Sequence, residues 1–225
     1  MPLEHASSKL ISRRGFLKIG CLTVAAAGMT VCGYTAVAST PDQAPVELPS
    51  SSYGGKSMDQ RVLVAYASAM GSTVDVAAEI GKTLAARGLS VDVRPIQSQP
   101  HLDGYQAVLI GSAVQSGQWL PEALDFVKQN QQALNCLPVA LFCVHIRNLG
   151  DDEASRAGRL AYLDAVRRLL QPVAEGFFAG KFDRRGAALL LPGWFARFIP
   201  TMDLRNWKKI RSWAESIQPL LRGSK

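Results

Sequence analysis

From Arg61 the chain alternates short apolar runs with helical stretches, and few folds accept that alternation. The run Arg61–Tyr66 has the near-continuous apolar character of a strand buried on both faces. A Gly/Ser/Thr turn follows it, then a helical stretch with Ala77, Ile80 and Leu84 on one face, closed by Gly88. Leu89–Val93, Ala107–Gly111, Val139–Val144 and Ala174–Phe182 read as four more strands. Helices are predicted around Pro121–Ala133, over Asp152–Leu170 and from an N-cap at Asp203 onward. The last of these puts Trp207, Ile210, Ala214, Ile217 and Leu221 on one stripe, the pattern of core packing. Strands joined by crossover helices give an α/β fold with a doubly wound parallel sheet.

The residues before Arg61 carry a different signal. Ser12-Arg13-Arg14-Gly15-Phe16-Leu17-Lys18 precedes an uncharged stretch, Ile19 to Pro41, that contains the small-residue site Ala36-Val37-Ala38. A basic segment, an apolar segment and a small-x-small site are the parts of an export leader. The basic segment resembles the twin-arginine signal S-R-R-x-F-L-K at every fixed position, which predicts delivery to the periplasm and cleavage after Ala38. Ile19–Ala38 is also long enough to stay as a membrane anchor if it is not cleaved. Cys21 and Cys32 lack the flanking residues of a lipidation site.

The leader changes the meaning of the charge. The whole chain has 25 Lys and Arg against 18 Asp and Glu, a formal +7 that invites an anionic partner. Residues 1–38 hold Lys9, Arg13, Arg14 and Lys18 against Glu4, so the remainder keeps 21 basic and 17 acidic residues, net +4. No basic stripe with interleaved aromatics precedes residue 180, and a nucleic-acid partner is excluded. Cys136 and Cys143 remain, seven residues apart, and read as core filler rather than a disulfide framework. Residues 39–60, with Pro41, Pro45, Pro49, three successive Ser, Gly54 and Gly55, read as a flexible tether ahead of a domain over 61–225.

In a doubly wound sheet ligands bind beyond the carboxyl ends of the strands, where strand order reverses. Three loops qualify. The first is Ser68-Ala69-Met70-Gly71-Ser72-Thr73, whose small residues, hydroxyls and following helix suit one phosphate. It has neither a Walker-A lysine nor G-x-G-x-x-G, which disfavours an ATPase or a Rossmann-type NAD enzyme. The same turn is also readable as a plain strand–helix connection with Ser72 as N-cap.

The second loop, Ser112-Ala113-Val114-Gln115-Ser116-Gly117 with Trp119, suits a wall against a flat ring. Trp119 is equally readable as a hydrophobic plug at a helix start. The third loop offers His145 and Arg147. His145 is either a proton relay or a strand-end histidine with its hydrogen bond satisfied. The three histidines show no metal-ligand spacing, so no metal is expected, and no residue stands out as acid, base or nucleophile.

These residues carry a family likeness. Ser68-x-x-Gly71-Ser72-Thr73 after a strand, with Ile110-Gly111-Ser112-Ala113 after the third, resembles flavodoxins. Gly111–Gly117 followed by Leu124-Asp125-Phe126-Val127, the Val139–Val144 strand, and Asp203-Leu204-Arg205-Asn206-Trp207 are similar to the quinone-dependent protoporphyrinogen IX dehydrogenase subfamily. The resemblance implies a flavodoxin-like three-layer sandwich with a five-stranded parallel sheet in order 2-1-3-4-5. It also implies non-covalent FMN as cofactor: the Ser68–Thr73 turn would hold the phosphate, and the other two loops would flank the ring.

The function it implies is that of an exported FMN-dependent oxidoreductase with a quinone or a redox protein as partner. The leader agrees with a cofactor, since the twin-arginine route carries proteins already folded and loaded. Trp194, Phe195, Arg197 and Phe198, with Lys208, Lys209 and Arg211, mark 186–211 either as a peripheral membrane contact or as a cap on the sheet with a solvated basic face. Two other functions stay open: a flavodoxin-type electron carrier, and a flavin-less binding module in which Ala69 and Met70 replace hydroxyl donors.

Overall fold

A computed structural model describes residues 48–55, 60–182 and 202–222. The stretch read above as an export leader, the remaining residues of the expected tether and the 186–201 part of the stretch read as a membrane contact or a cap lie outside the described residues. No helix of the described residues is long and apolar enough to cross a membrane.

Among the described residues the first element is β1 (Ser51–Tyr53), inside the stretch read above as a tether. This short strand pairs antiparallel with β3, Ser51 opposite Val93 and Tyr53 opposite Val91, where β2 is Arg61–Ala67 and β3 is Ser90–Pro95. Polar contacts hold it there, which is why hydrophobic periodicity does not reveal it. Ser52 Oγ donates to Asp92 Oδ1 at 2.5 Å, and the Tyr66 hydroxyl donates to the Pro49 carbonyl at 2.7 Å. Asp92 in turn accepts from Arg61 Nη2 and from the Tyr105 hydroxyl, each at 2.8 Å.

Between β2 and β3 runs α1 (Ser72–Ala86), and β4 (Ala107–Gln115) follows. The short β5 (Gln118–Trp119) folds back on β4. After α2 (Pro121–Gln129) and α3 (Gln131–Leu134) comes β6 (Val139–His145). Then α4 (Glu153–Ala161) and α5 (Asp164–Arg167) lead to β7 (Ala174–Ala179). A small antiparallel pair, β8 (Lys181–Phe182) with β9 (Met202–Asp203), precedes α6 (Trp207–Leu221). The main sheet runs β1-β3-β2-β4-β6-β7, and its five parallel members, counted among themselves, have the order 2-1-3-4-5. This is the flavodoxin-like α/β architecture that the resemblance implies.

Each face of the sheet has its own core. Tyr66, Phe142 and Phe178 meet Val76, Ile80 and Leu84 of α1 and Ile210, Ala214, Ile217 and Leu221 of α6. On the other face Leu63, Ile110 and Leu141 meet Phe126 and Val127 of α2 and Leu163 and Val166 around α5. Each large side chain so buried contributes about 1.5–3 kcal/mol.

Several boundaries differ from the sequence reading. The helix expected over Pro121–Ala133 breaks at Asn130, whose Nδ2 donates to the Phe126 carbonyl at 2.9 Å in competition with the backbone ladder. The one expected over Asp152–Leu170 breaks between α4 and α5; Asp152 does cap it, its Oδ1 accepting from Ser155 N at 2.9 Å. The N-cap of α6 is Asn206, accepting from Lys209 N at 3.0 Å, while Asp203 belongs to β9. Cys143 is buried and Cys136 exposed, both as free thiols.

Candidate functional site

β2, β4 and β6 lie side by side, so the segments leaving their carboxyl ends meet at one edge of the sheet. They enclose a cleft lined by Ala69, Met70 and Ser72 from the first, Ala113, Val114 and Gln115 from the second, and His145 and Ile146 from the third. Val144, Gly180 and Lys181 complete it, and its volume is about 50 Å³.

The turn after β2 is built around Gly71 at φ 87°, a left-handed position that glycine takes without strain. Ser68 Oγ accepts from Gly71 N at 3.0 Å, which closes the turn from inside. Gly71 is also the N-cap of α1, so no side chain caps the first turn, and Ser72 is the first helical residue rather than the cap. A helix start left open in this way presents amide donors and the positive end of the dipole to an anion. Beside it the hydroxyl of Thr73, a residue 0% exposed, has no hydrogen-bond partner. Native structures pair nearly all such groups, which makes this hydroxyl a candidate partner for a ligand's oxygen.

The second segment differs from the open loop expected. β4 continues through Gln115, and Ser116 and Gly117, at φ 52° and 81°, make a two-residue hairpin turn of the kind that matches strand twist. The hairpin presents Ala113, Val114 and Gln115 to the cleft and sends two predicted contacts elsewhere. Ser112 Oγ is committed to the backbone, accepting from Leu120 N at 3.0 Å and donating to the Ala113 carbonyl at 2.8 Å. Trp119 is buried in the core beneath α2, its Nε1 donating to Cys143 Sγ at 3.0 Å. It is the plug of the two readings, not the wall.

His145 ends β6, 4% exposed, with its Nδ1 2.6 Å from the Arg147 carbonyl. A carbonyl can only accept, so the proton sits on Nδ1 and Nε2 holds a lone pair. That Nε2 is buried and unpartnered at the cleft wall. Burial holds the imidazole below its ordinary pKa, the Arg147 carbonyl pulls the other way, and Arg159 and Lys209 add to the depression. Arg147 itself is exposed and reaches this arrangement only through its carbonyl. Arg159 braces the loop by donating to the Asn148 and Gly150 carbonyls at 2.5 and 2.6 Å.

A native-state pKa below that of the unfolded chain means that the unfolded chain binds the proton more readily. His145 therefore supports folding above about pH 6.5 and costs stability as the pH falls through that value. His145→Asn, which can keep a donor to Arg147, is expected to flatten the loss of thermal stability between about pH 7 and 5; an unchanged pH profile refutes this.

Gly180 and Lys181 were not anticipated. Gly180 N donates to the His145 carbonyl at 2.8 Å, and a Cβ at Gly180 would come within 3.1 Å of Ser72 Oγ. A lone glycine directly after a strand was the available signal.

The residues fit a phosphorylated ligand with a flat ring. An uncapped helix start, an unsatisfied hydroxyl and the Lys181 ammonium suit a phosphate, while Met70, Val114 and Ile146 make an apolar slot with one ring-nitrogen acceptor in its wall.

The family model described as flavodoxin domain matches residues 63–190, more than half of the chain. The chain is similar to protoporphyrinogen IX dehydrogenase [quinone] of Escherichia coli (strain K12), at 25% identity over 88 residues. The match covers 38% of this chain and 49% of that protein, so the chain spans about half the length of the curated relatives it matches. Among solved structures, a flavodoxin from the domain Archaea has a TM-score of 0.46 and 16% identity, covering 72% of this chain and 99% of that one. Oxidised flavodoxin 2 from Bacillus cereus has a TM-score of 0.46 and 21% identity, with 71% and 99% covered.

Proposed function

The chain belongs to the flavodoxin-domain family, and from that premise we propose an exported FMN-dependent oxidoreductase that passes electrons to a quinone. The observation that carries the cofactor is the buried, unpartnered Thr73 hydroxyl beside the open start of α1. The Escherichia coli relatives, named for a quinone and protoporphyrinogen IX, support the acceptor and suggest the donor. The leader motif around Arg13 and Arg14 supports export.

The chain's own residues do the binding. Backbone amides at Ser72 and Thr73, the Thr73 hydroxyl and Lys181 receive the phosphate, where a dianion meets the helix dipole. Met70, Val114 and Ile146 would flank the ring and exclude water from it. His145 Nε2 would accept one hydrogen bond from the ligand, while Nδ1–H donates to the Arg147 carbonyl. Bound FMN supplies reversible hydride and electron transfer.

The test is a visible spectrum of the full chain after FMN addition, followed by anaerobic oxidation of protoporphyrinogen with a soluble quinone. A flavin spectrum and quinone-dependent turnover are expected. No bound flavin refutes the cofactor; bound flavin that exchanges electrons only with redox proteins makes the chain a carrier.

A further inference from the structure

Arg205 stands outside the cleft, between β9 and α6, yet its side chain is only 9% exposed. Its Nη1 donates to Asp75 Oδ2 at 2.6 Å. Its Nε and Nη2 donate to the two oxygens of Asp203 at 2.7 and 2.5 Å. The guanidinium also lies over the Trp207 ring, 4.6 Å from its centroid. Two edges and one face of a planar fork are thus occupied, so the group has one position.

The position matters because of where Asp75 sits. It is in the first turn of α1, three residues after Ser72, so the two side chains neighbour each other on one helix face. Ser72 lines the cleft. The Asp75 carboxylate is half-exposed, and released from Arg205 it would be a mobile anion next to an uncapped helix start, which attracts anions. It would then oppose the phosphate expected there, by repulsion or by taking the amides itself.

We propose that Arg205 is a positioning residue for phosphate recognition, holding the Asp75 carboxylate off the open first turn of α1 so that the turn stays available to a ligand's phosphate. The proposal rests on the reading that this turn receives the FMN phosphate. It assigns a role in ligand selection to a residue that touches no ligand.

FMN and riboflavin share a ring and differ in the phosphate, so paired titrations of the full chain isolate the effect. The wild-type chain is expected to prefer FMN. Arg205→Gln should weaken FMN about tenfold and leave riboflavin within about a factor of two, and adding Asp75→Asn should restore most of the loss. Equal weakening of both ligands makes Arg205 a plain strap between α6 and α1 and overturns the proposal, as does failure of Asp75→Asn to rescue.

If Arg205→Gln does not fold, as judged by its circular dichroism melt, Asp75→Asn alone decides. Tighter FMN binding with riboflavin unchanged supports the proposal, and unchanged FMN binding or parallel loss of FMN and riboflavin overturns it. A wild-type chain with no preference for FMN refutes the phosphate reading and this inference with it, whereas a preference left intact in Arg205→Gln refutes the inference alone.

Discussion

Thr73→Val is expected to make the ligand-free chain more stable while weakening its hold on FMN. The two side chains have nearly the same shape, so the exchange leaves packing intact and removes one hydroxyl that is buried without a partner. Relieving an unsatisfied buried polar group is worth about 1 kcal/mol or more, a rise in melting temperature of about 2–4 °C for a chain of this size. Against FMN the sign reverses. A hydrogen bond to a charged oxygen contributes about 1.5–3 kcal/mol, so its loss should raise the dissociation constant about 10- to 150-fold. Opposite shifts in the melting curve of the apo chain and in the flavin titration are a signature that a purely structural threonine does not give. A lower melting temperature without ligand, or unchanged FMN affinity, refutes it.

Gly111→Ala should be the more damaging exchange although it adds a single methyl group. Gly111 lies in β4 with Tyr66 beside it on β2 and Phe142 beside it on β6. The Phe142 ring occupies the space over the glycine, where a Cβ would fall within 1.9 Å of a ring carbon. That ring also contacts Phe178 and Trp213, at centroid distances of 6.5 and 6.3 Å, so it cannot swing aside without disturbing both. Overpacking of this kind costs about 3 kcal/mol, equivalent to a fall of about 6–12 °C in melting temperature. Phe142→Leu in the same chain should recover part of the loss by emptying the disputed volume. A Gly111→Ala chain that melts with the wild type would show that the ring has another rotamer within reach.

The parallel strands were legible because a strand buried on both faces must be apolar almost throughout, as Val62–Ala67 and Val139–Val144 are. The tight turn after β2 was legible because its geometry needs small residues and a glycine. What escaped has definite causes. β1 is held by serines and an aspartate that look like a linker in one dimension. The strand character of Ser112–Gln115 was masked because the serine there serves a backbone amide rather than the strand itself. The ambiguity of Trp119 turned on Cys143, 24 residues away, and no local pattern contains that partner. Lys181 lines the cleft, and β8 sets it opposite Asp203 of β9, a long-range pairing that no local pattern contains.

The core shared by α1 and α6 has a consequence for the timing of synthesis. The apolar face of α1 is covered in the finished domain by Ile210, Ala214, Ile217 and Leu221, the last helix of the described chain. A growing chain makes Val76, Ile80 and Leu84 long before it makes their cover. At translation rates of about 5–20 residues per second, that face stays open for on the order of ten seconds. This face of the sheet therefore closes late, and the nascent chain carries an uncovered apolar surface while it is still being made.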